Sequence, residues 1–170
     1  MAQHFATNYR YVGVDISQGL LAYAKKECPK GKFICEEMTE FVVRQKQEKF
    51  DIIIGTSSFQ HIPSARERLF LMKHFYRLLN YDGLLVFTNW SLSQRFLKRY
   101  RKEVFGAFVK YVFRGGRGSP RDIFVPRTNK EKTFTRFYHL FSLKELKKLV
   151  ISSGLTLEQL TYLDEKGTTT

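Results

Sequence analysis

Apolar positions in the first half of the chain fall into short runs that alternate with stretches of helical spacing. "YRYVGVD" is strand-like and ends on Asp15, and Ser17 is placed to cap a helix that buries Leu20, Leu21 and Ala24 before Pro29 ends it. "KFIC" predicts a second short strand, and "FDIIIG" a third whose continuous apolar core suits burial on both faces. Ser64 and Glu67 form a capping box ahead of "RLFLMKHFYRLL", where Leu69, Met72, Phe75, Tyr76 and Leu79 recur at helical spacing. "NYDG" predicts a turn into the strand "LLVFTNW". Strands alternating with helices in this way predict an α/β domain with a mostly parallel sheet.

The rhythm then breaks. "SQRFLKRYRKEVFGAFVKYVF" reads as one amphipathic helix or two, and "RGGRGSPRD" as a loop, because its glycines and proline oppose regular structure. Regular structure resumes with "FTRFYHLF". Ser142 and Glu145 make a second capping box for "LKELKKLVISSG", which Gly154 closes. "LTLEQLTYL" predicts a last strand and "DEKGTTT" a frayed tail.

Composition narrows the classes. With 43% hydrophobic residues, 16 Phe and 9 Tyr, the chain is excluded from intrinsic disorder along most of its length. Its 170 residues suit one domain, 1–170, in which 91–137 is a basic insertion. No run approaches the eighteen or so apolar residues that a bilayer span requires, and the amino terminus lacks a signal-peptide layout, so a cytoplasmic protein with no membrane partner is expected. Cys28 and Cys35 have no second pair to complete a zinc site, and no metal is expected. Between Ser91 and Arg136 there are 13 basic residues against Glu103, Asp122 and Glu131, a local balance of +10 within a net +13. Such a concentration favours polyanionic partners, above all RNA, or else forms a solvated face.

Asp15 ends a strand immediately before a helix, where an acid in nucleotide-binding α/β folds accepts hydrogen bonds from both ribose hydroxyls; a helix cap or a surface acid is the plain alternative. "ICEEMTEF" is an acidic turn after the next strand. Taken in order and spacing, "YVGVDIS", "KFICEEMTEF", "FDIIIGTSSFQHIP" and "LLNYDGLLVFTNW" resemble successive motifs of class I S-adenosylmethionine-dependent methyltransferases. The resemblance covers most of residues 10–90 and implies a Rossmann-like fold with S-adenosylmethionine as cofactor. It places the cofactor ribose on Asp15, the adenine against Ile16, Glu37 and Met38, and the methionine portion over Thr56, Ser57 and Gln60, with His61 near the substrate. Met38 as core and His61 as a packing residue are the plain alternatives.

"RDIFVPR" followed by "RFYHLFSLKELKKLVISSGL" resembles the corresponding stretch of tRNA wobble-uridine carboxymethyl methyltransferases. That likeness implies a substrate side formed by Tyr138, His139, Arg121 and Arg136, with Asn89 and Trp90 lining the pocket and His61 or His139 orienting a carboxylate acceptor.

Two departures shape the expectation. The family's glycine-rich cofactor loop has no counterpart before Asp15, where "MAQHF" looks like the tail of the helix after it, and only one candidate strand follows the last helix. The chain thus reads as an incomplete form of the fold, in which a partner chain supplying the missing strand stays open. Its leading function is methyl transfer, and the alternative is a non-catalytic RNA-binding remnant whose aromatics lie between basic residues. A nicotinamide enzyme fits less well, because no G-x-G-x-x-G is present.

Overall fold

In a computed structural model, residues 9–91, 94–128 and 133–162 are described, the side chains of 94–98 excepted. The chain forms two compact units, Met1–Lys49 and Phe50–Thr170.

In the first unit, β1 (Val12–Asp15) pairs in parallel with β2 (Lys32–Cys35), Asp15 lying opposite Cys35. The crossover is α1 (Gln18–Glu27), capped by Ser17, whose Oγ accepts from the Leu20 N–H at 3.3 Å. The expected burial of its stripe is corrected: Leu20 is 61% exposed, and Leu21 and Ala24 are only half-buried. Two strands, at about 4.8 Å spacing, are narrower than a helix of about 10 Å and cover only part of its face. A Cβ at Gly13 would lie 2.8 Å from the Phe33 ring, so glycine there lets that ring lie across β1. The helix α2 (Met38–Arg44) buries Phe41 and Val42.

In the second unit, β3 (Phe50–Thr56) pairs in parallel with β4 (Leu79–Thr88). Between them come a 3-10 turn, Phe59–His61, and α3 (Ala65–Leu78), with Ser64 Oγ capping the Glu67 N–H at 3.4 Å. Of the predicted stripe, Met72 and Leu79 are buried, Leu69 and Phe75 are half-buried, and Tyr76 is exposed. The "NYDG" turn appears as a bulge: Phe50 pairs with Leu79 but Ile52 with Leu84, and Asp82 sits at φ 58. Asn80 Nδ2 donates to Asp51 Oδ1 at 2.7 Å and ties the bulge to β3.

Burial of β3 on both faces is also corrected. Register partners Ile52 and Leu84, and Ile54 and Val86, share a face and are 37–46% exposed. On the other face Phe87 packs on Phe59, which in turn meets Phe75 of α3.

The basic helix α4 (Gln94–Phe113) consists of two helical stretches that meet in a kink at Tyr100, where φ is −121 and ψ 30. The loop after it follows expectation, with Gly115, Gly116 and Gly118 all at positive φ. The strand β5 (Asp122–Thr128) was not foreseen, because Pro126 argues against a strand; it pairs antiparallel with β6 (Thr133–His139) in a two-stranded hairpin, where an edge tolerates proline. Ile123, Val125, Tyr138 and Leu140 form a core with Ala107, flanked by Trp90, Tyr100 and Val104. Ser142 Oγ caps α5 (Leu143–Ser152) through the Glu145 N–H at 3.2 Å, and Gly154 follows it at φ 93. Residues 155–162 form no strand, contrary to the reading of "LTLEQLTYL", since no described strand offers them a ladder. "MAQHF" and "DEKGTTT" lie outside the described residues.

Ile123, fully buried between α4 and the hairpin, sets the cost of opening this core. Ile123→Ala is expected to destabilise the second unit by about 2–5 kcal/mol, read as a fall in the urea midpoint.

Candidate functional site

Asp15 and Glu37 stand exposed at, and just beyond, the carboxyl ends of β1 and β2, the end at which open α/β sheets bind ligands. Each also has a local task. Asp15 Oδ1 accepts from the Ser17 N–H at 2.8 Å, and Glu37 Oε2 accepts from the Thr39 N–H at 2.6 Å and from the Thr39 hydroxyl. Asp15 Oδ2 and Glu37 Oε1 have no partner among the described residues. Both plain and functional readings are therefore compatible with one geometry: one oxygen caps, the other is open. Ile16, 69% exposed beside Asp15, offers an apolar surface, and Met38 is half-buried at the start of α2.

The second unit brings the remaining candidates together at the carboxyl ends of β3 and β4. Thr56 is exposed, and Ser57 takes φ 51 while its N–H donates to Thr88 O at 3.0 Å. A serine in the left-handed region costs on the order of 1 kcal/mol. Gln60 is fully buried, and its Oε1 accepts from the Trp90 N–H at 2.7 Å, so it braces the backbone rather than facing a ligand. Asn89 is different: both Nδ2 and Oδ1 are buried without a hydrogen-bond partner among the described residues.

Around Trp90 lies an aromatic and cationic cluster. Its ring stacks on Tyr138 at 4.6 Å, and His61 meets Tyr138 edge-on at 4.6 Å. The Arg127 guanidinium lies over both Trp90 and Tyr138, at 5.7 and 5.8 Å, and donates to the Tyr138 hydroxyl at 3.1 Å. His61 Nδ1 donates to Phe137 O at 2.9 Å. That bond fixes the tautomer, so neutral His61 keeps its Nε2 lone pair. Burial, and then the Arg136 and Arg127 charges, hold the His61 pKa below the ordinary value and outweigh the Phe137 bond. Arg136 is exposed on β6. Arg127 escaped sequence reading with β5 itself; on a strand, 123, 125 and 127 share one face, which is the signal that would have found it.

His139 occupies another setting. Its Nδ1 lies 2.6 Å from Asp122 Oδ1 and its Nε2 2.7 Å from Glu145 Oε1. Ionised carboxylates only accept, so both ring nitrogens carry protons and the buried ring is an imidazolium with no free nitrogen for proton transfer. Burial alone would lower its pKa, but the bonds to Asp122 and Glu145 outweigh it and hold it above the ordinary value. Burial likewise pushes Glu145 up, while His139, Arg68 and Arg121 together bring it below the ordinary value. Arg121 is committed to Ser142 Oγ at 2.8 Å and to Glu145 Oε2 at 3.3 Å. The geometry thus gives His139 and Arg121 structural partners, keeps Tyr138 and the Asn89 amide buried, and leaves His61, Trp90 and Arg127 as the half-buried group that can face a ligand.

Residues 1–83 match the family model described as a methyltransferase domain. No curated protein matches the chain. Among solved structures it is similar to an S-adenosylmethionine-dependent methyltransferase from Methanosarcina mazei, with 17% identity, 99% of this chain and 79% of that one covered, and a TM-score of 0.70. A methyltransferase of the same dependence from Clostridium acetobutylicum is 13% identical over 85% of this chain, with a TM-score of 0.56. The chain spans 63% of that protein's length. The glycopeptide N-methyltransferase MtfA, solved with S-adenosylmethionine, is 13% identical over 95% of this chain and 68% of its own, with a TM-score of 0.58. The fold is the Rossmann-like α/β fold of methyltransferases. None of these likenesses singles out the wobble-uridine group. Among the described residues, no helix is long and apolar enough to cross a membrane.

The charged and orphaned groups of the second unit make its stability sensitive to pH and to one substitution. His139, raised from the ordinary 6.5, stabilises the fold fully below that value and loses this contribution as pH rises through its folded pKa. Glu145, lowered from 4.5, stabilises above that value and loses its share as pH falls through its folded pKa. Urea unfolding should therefore show stability declining as pH rises from about 6.5 through the folded His139 pKa, a decline absent in His139→Gln. Asn89→Leu removes an orphaned amide and is expected to leave stability unchanged or raise it by about 1–3 kcal/mol in the same assay.

Proposed function

We propose that this chain is a class I methyltransferase that binds S-adenosylmethionine and methylates a nucleobase side chain or small carboxylate, a tRNA wobble uridine being the acceptor suggested by the "RDIFVPR" and "RFYHLF" resemblance. The observation that carries the reading is the pair of exposed acids, Asp15 and Glu37, at the carboxyl ends of one parallel strand pair, each with an oxygen left over from its capping bond. That donor set fits the group: a free carboxylate oxygen suits ribose hydroxyls, the other suits an adenine amino group, and Ile16 gives the base an apolar surface.

S-adenosylmethionine supplies a methyl group on a sulfonium, already joined to a strong leaving group. The protein's part is alignment and exclusion of water. In the second unit, Trp90, backed by the buried Tyr138, is the ring that would meet a planar acceptor, and Arg127 beside it supplies a positive charge for a carboxylate. His61, neutral near pH 7 with Nε2 free, orients an acceptor proton or takes it up. A carboxylate acceptor needs no strong base, which suits an imidazole whose pKa is depressed.

Calorimetric titration of the purified chain with S-adenosylmethionine tests the cofactor half of the reading. Saturable binding is expected, weakened at least about tenfold, or 1.4 kcal/mol, by Asp15→Ala. Asp15→Asn keeps an oxygen for the Ser17 N–H and so separates the ribose interaction from the cap. A folded chain that gives no saturable heat overturns the proposal.

A further inference from the structure

One flank of α4, together with the glycine turn after it and the β5–β6 hairpin, encloses a cleft of about 500 Å³. Four cations line it, Lys102 and Lys110 from the helix and Arg114 and Arg117 from the turn. None of the four makes an ion pair or side-chain hydrogen bond within the described residues. Two acids share the cleft, Glu103 and Asp122, and Asp122 is already bonded to His139. The helix C-terminus favours Lys110 and Arg114 through its dipole, but like charges four residues apart repel by a similar few tenths of a kcal/mol. The dipole leaves unexplained why Lys102, nearly three turns earlier, and Arg117, beyond the helix end, border the same concavity. Gly116, at φ 78, donates to Tyr111 O at 3.0 Å and folds the turn back on the helix, which keeps Arg117 in the wall.

Aromatic rings complete the lining. Tyr111 comes from the helix and Phe124 from β5, where it is 53% exposed. Cations interleaved with exposed aromatic faces in a groove suit a strand whose phosphates meet the charges and whose bases stack. The other flank of α4 exposes Phe105, Phe108 and Val112, which a bilayer surface would take, but none of the three lines the cleft that holds the cations.

We propose that this cleft binds the sugar–phosphate backbone of single-stranded RNA, with Tyr111 and Phe124 as stacking surfaces. It stands on geometry distinct from the methyl-transfer residues and holds whether or not the chain transfers methyl groups.

Fluorescence anisotropy of a labelled oligouridine of about 12 nucleotides tests it without cofactor. Lys110→Ala with Arg114→Ala, both exposed, should weaken binding at least tenfold and flatten the plot of log Kd against log salt by about 1.4, roughly 0.7 for each phosphate no longer neutralised. Lys25→Ala with Lys26→Ala on α1 removes as much charge elsewhere and should leave binding unchanged. Equal weakening by the two pairs, or none by the first, overturns the proposal. Displacement of the oligomer by millimolar inorganic phosphate at constant ionic strength overturns it in favour of a small-anion site. Loss of binding to phosphatidylserine vesicles in the first pair, with RNA binding intact, overturns it in favour of a lipid surface.

Discussion

The second unit depends on the Glu145 carboxylate. A glutamate at this place in a capping box ordinarily reaches back to the N–H of its own cap. Here Ser142 still caps the Glu145 N–H, but the carboxylate is turned to other partners: His139 at 2.7 Å, Arg121 at 3.3 Å and Arg68 Nη2 at 3.6 Å. Those partners belong to α3, the start of the hairpin and the end of β6, so one anion on α5 joins all three. Burial penalises each of these charges, and their mutual attraction has to exceed that penalty. The directions of the shifts decide the balance: Glu145 stays easier to ionise than usual and His139 easier to protonate, although burial acts against both. Arg68 adds a second fastening, since its Nη1 donates to Ile62 O at 2.8 Å and to Pro63 O at 3.1 Å, securing the approach to α3.

Three consecutive residues of β6 carry this anchorage into the candidate site. The His139 ring is held by two carboxylates, which fixes the strand end. Side chains alternate along a strand, so Tyr138 is presented away from that network, to Trp90 and Arg127. The Phe137 carbonyl takes the His61 Nδ1 proton. Trp90, Tyr138 and Arg127 are thus held by a charge network one residue away as well as by their own contacts.

The sequence makes the local features legible and hides the distant ones. Ser17, Ser64 and Ser142 cap the helices expected of them, because capping is decided within four residues. The parallel pairs of β1 with β2 and β3 with β4 follow from alternating strand and helix patterns. Pro126 conceals β5, since sequence alone does not tell a two-stranded hairpin from a central strand. The partners of His139 lie 17 and 6 residues away on different elements, so its conversion from candidate catalyst to buried cation could not be read from "FYHLF". Expected burial failed at Leu20, Ile52 and Ile54 for one reason: periodicity reports which side chains share a face, not whether anything covers it.

Local rules are broken in one place more than elsewhere. Ser57 holds a left-handed backbone conformation at the end of β3, and Asn89 buries an unpaired amide at the end of β4. The Ser57 N–H bonded to Thr88 O joins the two turns, so the strained residue and the orphaned one are neighbours. The unpaired amide costs about 1–3 kcal/mol and the left-handed serine about 1, an appreciable share of the few kcal/mol by which a domain is stable. Packing does not require either: leucine would fill the place of Asn89, and glycine would relieve Ser57. Both sit at the carboxyl end of a parallel pair, the edge at which this class of fold receives ligands. Costs that the fold could avoid, gathered at the edge where this class of fold receives ligands, accord with the proposed function.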